Sequence, residues 1–418
     1  MTTAPPGTDD KRALLLHLYD IAVRTAHPGS CVPPHLPPVP EGGRILIVGA
    51  GKAAAAMAQA TERHYVAQGL GNRITGLVTT RHGFKLPTEI IEVLEAAHPV
   101  PDQMSIDGAQ RAVALAKSAG PNDLVLALMS GGASALWSAP VPGISFADKQ
   151  ALTKQLLRCG ARISEINTVR KHLSLIKGGK LAAATHPARL VTLAISDVPG
   201  DLPEAIGSGP TVADPTTLAD AREVIARYKL ELPANVVAAL ADPANETLKP
   251  GDAKLSNSSY VMVAAPKASI AAAAAAVSAQ GYKVVQLGDA LEGEAREVGA
   301  AHAQLALEAK SRGEKVAIMS GGELTVTVTG NGAGGPNQEY ALGLAIALGG
   351  APGICGLAGD TDGIDGGGGN ADDPAGALVL PDTLARARAA GLDAAKLLAN
   401  NDSTGFFQIG RASCRERV

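Results

Sequence analysis

Four short segments set glycines beside a lysine, serines or carboxylates: Gly49-Ala50-Gly51-Lys52, Ser130-Gly131-Gly132-Ala133-Ser134, Ser320-Gly321-Gly322-Glu323 and Gly359-Asp360-Thr361-Asp362-Gly363-Ile364-Asp365-Gly366. Each follows a short run of Val, Ile, Leu or Ala that reads as a buried strand. Each therefore stands at a strand's carboxyl end, where open parallel α/β sheets bind ligands. Backbone N–H groups, a mobile cation and clustered acids suit an anionic, metal-bound phosphate donor. Phosphoryl transfer is the chemistry this set fits.

Gly49-Ala50-Gly51-Lys52 lies between a strand and a helix. Its N–H groups and the helix dipole can hold an anion, with Lys52 as a point charge for phosphate oxygens. It is not a Walker A loop, because Leu46 and Ala53 stand where Gly and Ser or Thr are required. Gly49, Gly51 and Ala54 satisfy a dinucleotide fingerprint, and Arg81 ends the next strand, where it could meet an NADP 2′-phosphate. A tight turn with an exposed lysine is the plain alternative.

Ser130 to Ser134 lacks the G-x-S-x-G elbow of a nucleophilic serine and reads as a phosphate or carboxylate cradle, or as a helix cap. Asp197 ends a strand in Ser196-Asp197-Val198-Pro199-Gly200-Asp201 and suits metal binding, orienting a hydroxyl, or simply a turn. Asp360, Asp362 and Asp365 would repel one another without a cation, which points to Mg²⁺ rather than an exposed acidic turn; the spacing is not that of an EF-hand. Arg170-Lys171-His172 is a cationic helical face, either solvated or set to meet a substrate carboxylate.

Strand and helix patterns alternate around these segments. Strands are expected at 44–48, 74–80, 91–97, 124–129 and 190–195, and helices at 11–25, 52–68, 105–118, 146–159 and 167–184. A Pro- and Gly-interrupted stretch, 230–259, precedes a second series: strands 260–264, 283–287 and 315–319, with helices 267–280, 294–310 and from 337. Leu324 to Thr329 alternates with period two and predicts a half-exposed antiparallel strand. The fold class is α/β, with a Rossmann-like parallel-sheet domain over 1–245 and a smaller α/β domain over 246–418.

Composition removes several function classes. The formal net charge of −3 and 3% aromatics leave neither a basic footprint nor stacking platforms for nucleic acid. No run approaches the ~20 apolar residues of a membrane span, and Met1 to Asp10 does not resemble a signal peptide. Four scattered cysteines form neither a disulfide framework nor a zinc site. A cytoplasmic enzyme acting on small molecules is expected, with a homodimer open to it.

Taken in order, nine segments resemble the glycerate 2-kinase (glycerate kinase type II) family, whose C-terminal part is the MOFRL domain. They are Val48 to Ala54, His98 to Asp102, Met129 to Leu136, Ile166 to Ala182, Ser196 to Asp201, Ser208 to Thr211, Ser320 to Glu323, Gly334 to Leu342 and Gly359 to Gly366. The resemblance implies a two-domain enzyme with its site in the interdomain cleft. It implies transfer of phosphate from ATP to the 2-hydroxyl of D-glycerate with a divalent metal, and Lys52 matches the family's catalytic lysine. By the chemistry of phosphoryl transfer, Ser130, Gly131, Gly132, Ala133 and Ser134 would cradle an anion, Arg170 and Lys171 would bind substrate, and Asp197 would orient the glycerate hydroxyl. Gly321, Gly322, Glu323, Asn337, Gln338 and Glu339 would hold nucleotide, and Asp360, Asp362 and Asp365 would hold Mg²⁺.

Two departures stand out. Pro336 replaces an arginine that some members carry, and from about 409 the chain leaves the family pattern for a basic tail without strand character, which reads as a truncation. The rival reading is an NAD(P)H-dependent hydroxypyruvate reductase resting on Gly49, Gly51, Ala54 and Arg81. A non-catalytic binding protein would leave the strand-end loops as mere turns.

Overall fold

The computed structural model describes residues 8–366, 373–408 and 413–414. Backbone contacts divide the chain into two compact units, one from Pro28 to Ala264 and one formed by residues up to His27 together with those from Ala265 onward. The first unit holds six strands: β1 (Ile45–Ala50), β2 (Ile74–Arg81), β3 (Ile91–Ala96), β4 (Leu124–Met129), β5 (Arg189–Ile195) and β6 (Ser258–Ala264). All pair in parallel, in the order β3-β2-β1-β4-β5-β6. This is the doubly wound order, and its topological switch lies between β1 and β4.

Both switch-point strands are buried at every position, as parallel strands covered on two faces must be. A second apolar cluster joins helices Phe146–Arg158, Ile163–His172, Leu218–Arg227 and Ala234–Ala241 through Leu152, Leu156, Val169, Leu218 and Leu240. The helix expected over 167–184 is two helices, Ile163–His172 and Lys180–Thr185. They part because Gly178 and Gly179 adopt φ of +59° and +78° and donate to Ser208 and Gly209 instead of continuing a helical ladder.

The division between units falls at Ala264/Ala265, whereas the Pro-rich stretch placed it at 245/246. Strand β6 completes the first sheet, pairing Ser259 with Val191, because β5 otherwise leaves an unpaired edge. Helix Thr8–Ala26, expected in the first domain, packs with helix Pro266–Ser278, burying Leu18 beside Ala273 and Val277. Chain order does not report this return.

The second unit contains parallel β7 (Lys283–Gln286) and β8 (Val316–Met319), and an antiparallel group of β9 (Gly356–Gly359), β10 (Gly376–Val379) and β11 (Ser413–Cys414). Its main core includes Ala303, Leu342, Leu344, Val379, Phe406 and Phe407. The strand predicted over 324–329 is not formed; 322 and 325 make only isolated parallel bridges to Leu291 and Glu294. Side chains capture the donors there, since Thr327 N–H donates to the Glu294 carboxylate and Thr329 N–H to Asn401 Oδ1. The tail also differs from expectation: Ser413 and Cys414 pair with β10, whose free edge bonds main chain whatever its side chains. The rest of that tail lies outside the described residues. Among the described residues no helix is long and apolar enough to cross a membrane.

Candidate active site

The loops leaving β1 and β4 clasp each other at the switch point. Lys52 N–H donates to the Gly131 carbonyl (2.8 Å) and Ala53 N–H to Ser130 Oγ (3.1 Å), while Ser130 N–H donates to the Ala50 carbonyl (3.1 Å). Gly51 takes φ +140°, and a Cβ there would stand 2.0 Å from Ser130 Oγ, so the closeness of the loops requires glycine. Gly51 and Ala54 N–H groups donate to Thr79 and Gly51 carbonyls. Every amide from Gly51 to Ala54 thus has a partner inside the protein, and the β1 loop is not the open amide cradle its motif predicts. The amides of Gly131 and Gly132 find no acceptor among the described residues.

Three side chains converge above those two glycines. Asp197, just past β5, lies over Gly131, where an added Cβ would come within 1.8 Å of Oδ2. Lys52 Nζ stands 4.0 Å from that oxygen. The His98 ring lies over Gly132, 3.0 Å from the position of an added Cβ, and Lys52 Cγ shares that face at 3.3 Å. The Lys52 side chain is 24% exposed and that of Asp197 46%, so both are open to a ligand. Such a group can neutralise a phosphoryl oxygen, accept a hydroxyl proton and donate or accept one more. His98 received no role from the sequence; only its place in the His98 to Asp102 segment marked it.

Ser134 carries the next feature. Its Oγ lies 2.9 Å from Ser208 Oγ and accepts from Arg170 Nη2 (2.8 Å) and Lys177 Nζ (2.6 Å); Lys177 also donates to its carbonyl (2.7 Å). Ser208 adopts φ +63°, a strained conformation for a serine. Lys171, next on the helix, pairs instead with the fully buried Asp214 at 3.4 Å. Lys149 is 7% exposed, and its Nζ has no hydrogen-bond partner. Burial, reinforced by the charges of Arg170 and Lys180, holds its ammonium down at about 7. Burial, then Arg170, Lys149 and Lys171, push Lys177 well below the usual lysine range. The sequence signal for Lys149 was its place on the buried face of its helix, with Leu152 and Leu156.

In the second unit the nominated residues do two things. Gly322 takes φ +149° against the Leu291 backbone, Gly321 N–H donates to Gly288 and Glu323 N–H to Leu291, so this loop is stitched to 288–291 with the Glu323 side chain exposed. Asp365 is 1% exposed and caps helix Pro336–Leu348, accepting from the amides of Asn337 (2.8 Å) and Gln338 (2.7 Å) and from Asn337 Nδ2 (3.1 Å). Gln338 donates to the Asp365 carbonyl and accepts from Thr404, and Glu339 accepts from Arg296 (2.7 Å) and Asn401 (3.2 Å). Both Asp365 oxygens are thus taken up at the helix start, while Asp360 and Asp362 stay half-buried in the turn after β9, Asp360 Oδ1 accepting from Asp362 N–H (3.0 Å). Among the described residues no three His, Cys, Asp or Glu side chains gather as metal ligands.

Known proteins share this architecture. Residues 14–241 match the family described as a domain of unknown function, DUF4147, and residues 316–415 match the MOFRL family. An Agrobacterium vitis protein with the provisional name hydroxypyruvate reductase is 51% identical over 406 residues, 96% of this chain and 90% of its own. Glycerate 2-kinase of Pyrococcus horikoshii is 39% identical over 86% of this chain and 81% of its own. The crystal structure of a glycerate kinase from Thermotoga maritima superposes with TM-score 0.84 at 36% identity, covering 98% of this chain and 96% of that one. With its doubly wound unit, its MOFRL region and these relatives over nearly its whole length, the chain belongs to the glycerate kinase family.

Proposed function

We propose that the protein transfers the γ-phosphoryl group of ATP to the 2-hydroxyl of D-glycerate, giving 2-phosphoglycerate and ADP. The observation that carries this reading is the Lys52–Asp197 pair over Gly131 and Gly132 at the switch point. Phosphoryl transfer demands positioning and charge neutralisation rather than covalent help. Lys52 neutralises charge on the transferring group. Asp197 orients the 2-hydroxyl and takes its proton as the new O–P bond forms and the bond to ADP breaks. The free amides of Gly131 and Gly132, with Ser130, Ala133 and Ser134 around them, hold an anionic group, and Arg170 supplies positive charge with Lys171 behind it.

In the second unit, Gly321, Gly322 and Glu323 are assigned to nucleotide. Asn337, Gln338 and Glu339 serve it by fixing their helix start. Asp360 and Asp362 are hard oxygen donors, and two carboxylates beside substrate phosphates are an ordinary Mg²⁺ set. When bound, the ion would neutralise phosphate charge; Asp365 contributes by holding the helix rather than the ion. A cytoplasmic setting accords with this chemistry.

The relative named as a reductase favours a second reading, NAD(P)H-dependent reduction of hydroxypyruvate. Against it, a pyrophosphate needs the loop amides after β1, and those from Gly51 to Ala54 already have partners. The deciding assay supplies D-glycerate, ATP and Mg²⁺ and resolves 2- from 3-phosphoglycerate, with Lys52→Ala alongside. Formation of 2-phosphoglycerate that vanishes in Lys52→Ala is the expected result. Silence with ATP, together with NADPH oxidation by hydroxypyruvate, would overturn the reading.

A further inference from the structure

Lys149, Arg170 and Lys177 come from three stretches of chain, helix Phe146–Arg158, helix Ile163–His172 and the turn before Lys180, yet act on one another's charge. None of the three has a carboxylate among its hydrogen-bond acceptors: Arg170 and Lys177 use Ser134, and Lys149 has nothing. The nearby acids bond other groups: Asp214 meets Lys171 and Thr216 through Oδ1, its Oδ2 taking no hydrogen bond, and Glu246 meets His172 and Lys249. Buried cations without a hydrogen-bonded carboxylate are costly, and burial answers that cost by making Lys149 and Lys177 give up their protons readily, so an arriving anion would restore their charge. Lys149 and Lys177 are 7% and 1% exposed, whereas Ser134 and Arg170 are half-buried and give the group its accessible side.

We propose that Lys149, with Arg170, Lys177 and Ser134, forms a preorganised receptor for the carboxylate of the small 2-hydroxy acid acceptor. This rests on the kinase reading and assigns the acidic end of its substrate. Ser134 stands two residues beyond Gly132, over which Lys52 lies, so the receptor and the Lys52–Asp197 pair border the same loop after β4. The receptor makes carboxylate, rather than the hydroxyl alone, the mark of the correct acceptor. It also accounts for a lysine on an otherwise apolar helical face and for the strained Ser208 that meets Ser134.

The charges that bear on Lys149 are Arg170 and Lys180, with Lys177 beside them; Lys171 bears on Lys177, and Glu246, Lys249 and Asp214 bear on Lys180. A bound carboxylate raises the Lys149 pKa from about 7, so binding at pH 8 takes up a proton and affinity falls as pH rises through that value. Calorimetry of the full chain with D-glycerate, in buffers of different ionisation enthalpy, reads both quantities. Glycerol serves as the neutral control and inorganic phosphate as a second anion. Lys149→Met is expected to weaken D-glycerate binding about tenfold to a hundredfold, to abolish the proton uptake and to keep or raise Tm, with Lys149→Arg recovering part of the affinity. D-glycerate binding and proton uptake unchanged in Lys149→Met would overturn the proposal. So would a variant that loses phosphate binding alone, which would mark an anion site apart from the acceptor. If the wild-type protein makes no 2-phosphoglycerate, the kinase reading falls on its own, and the calorimetry still decides the receptor.

Discussion

The two units bury charge in opposite ways. In the second, Asp365 accepts three hydrogen bonds from the start of helix Pro336–Leu348, and Glu339 is held by Arg296 and Asn401. In the first, Arg170 and Lys177 share Ser134 and bond no carboxylate, and the Lys149 amine has no acceptor. Sequence motifs point to Asp365, Glu339 and Arg170 but not to Lys149, and satisfaction separates the two groups. A buried ion with all its partners present is scaffold, because losing any partner costs stability. A buried lysine without them, such as Lys149, gives up its proton readily, which is the property the proposed receptor uses.

The widest predicted effect lies on the open side of this comparison. Lys52→Ala is expected to cut kcat by about 10²–10³ or more while leaving Tm near wild type, since it removes charge stabilisation needed in the transition state. A similar fall in the melting temperature would instead make Lys52 part of the scaffold. Gly131→Ala comes next, because its methyl would occupy the place of the Asp197 carboxylate. Displacement of that carboxylate should cost about a hundredfold in kcat/KM, read from steady-state kinetics, with circular dichroism unchanged.

The closed side predicts stability changes. Asp365→Ala strips acceptors from three donors and should lower stability by about 2 kcal/mol, measured by chemical denaturation. Lys149→Met should do the reverse, and a fall in its stability would erase the contrast. The smallest effect concerns Glu246. Burial raises its carboxyl pKa, but hydrogen bonds from Lys249, the Leu218 and Thr247 amides and His172 outweigh that and hold it at about 2, from an ordinary 4.5. A folded-state pKa below the unfolded one means this stability is complete above pH 4.5 and is lost as pH falls toward 2. Glu246→Gln should flatten that part of an acid-denaturation curve.

Much of the fold was legible because local patterns and tertiary needs agreed. The apolar runs around Ile45 to Ala50 and Leu124 to Met129 can only be strands buried on both faces, and the loops after them carry Lys52 and Ser130 to Ser134. Where they disagree, the local pattern misleads: Leu324 to Thr329 alternates like a strand, but Glu294 and Asn401 take amide donors there.

By itself the sequence determined the alternation of strands and helices, the strand-end positions of Lys52, Ser130 to Ser134 and Asp197, and the family to which such an ordered set belongs. Only the tertiary structure decided that β6 closes the first sheet, that the first helix packs in the second unit, and that Asp365 serves a helix start rather than its neighbouring acids. The same holds for His98 above Gly132 and Lys149 near Arg170 and Lys177. Periodicity and turn chemistry are local, and a sequence states them outright. Which side chains meet, and which buried charges are left without partners, depends on contacts between residues distant in the chain, and those exist only once the layers have packed.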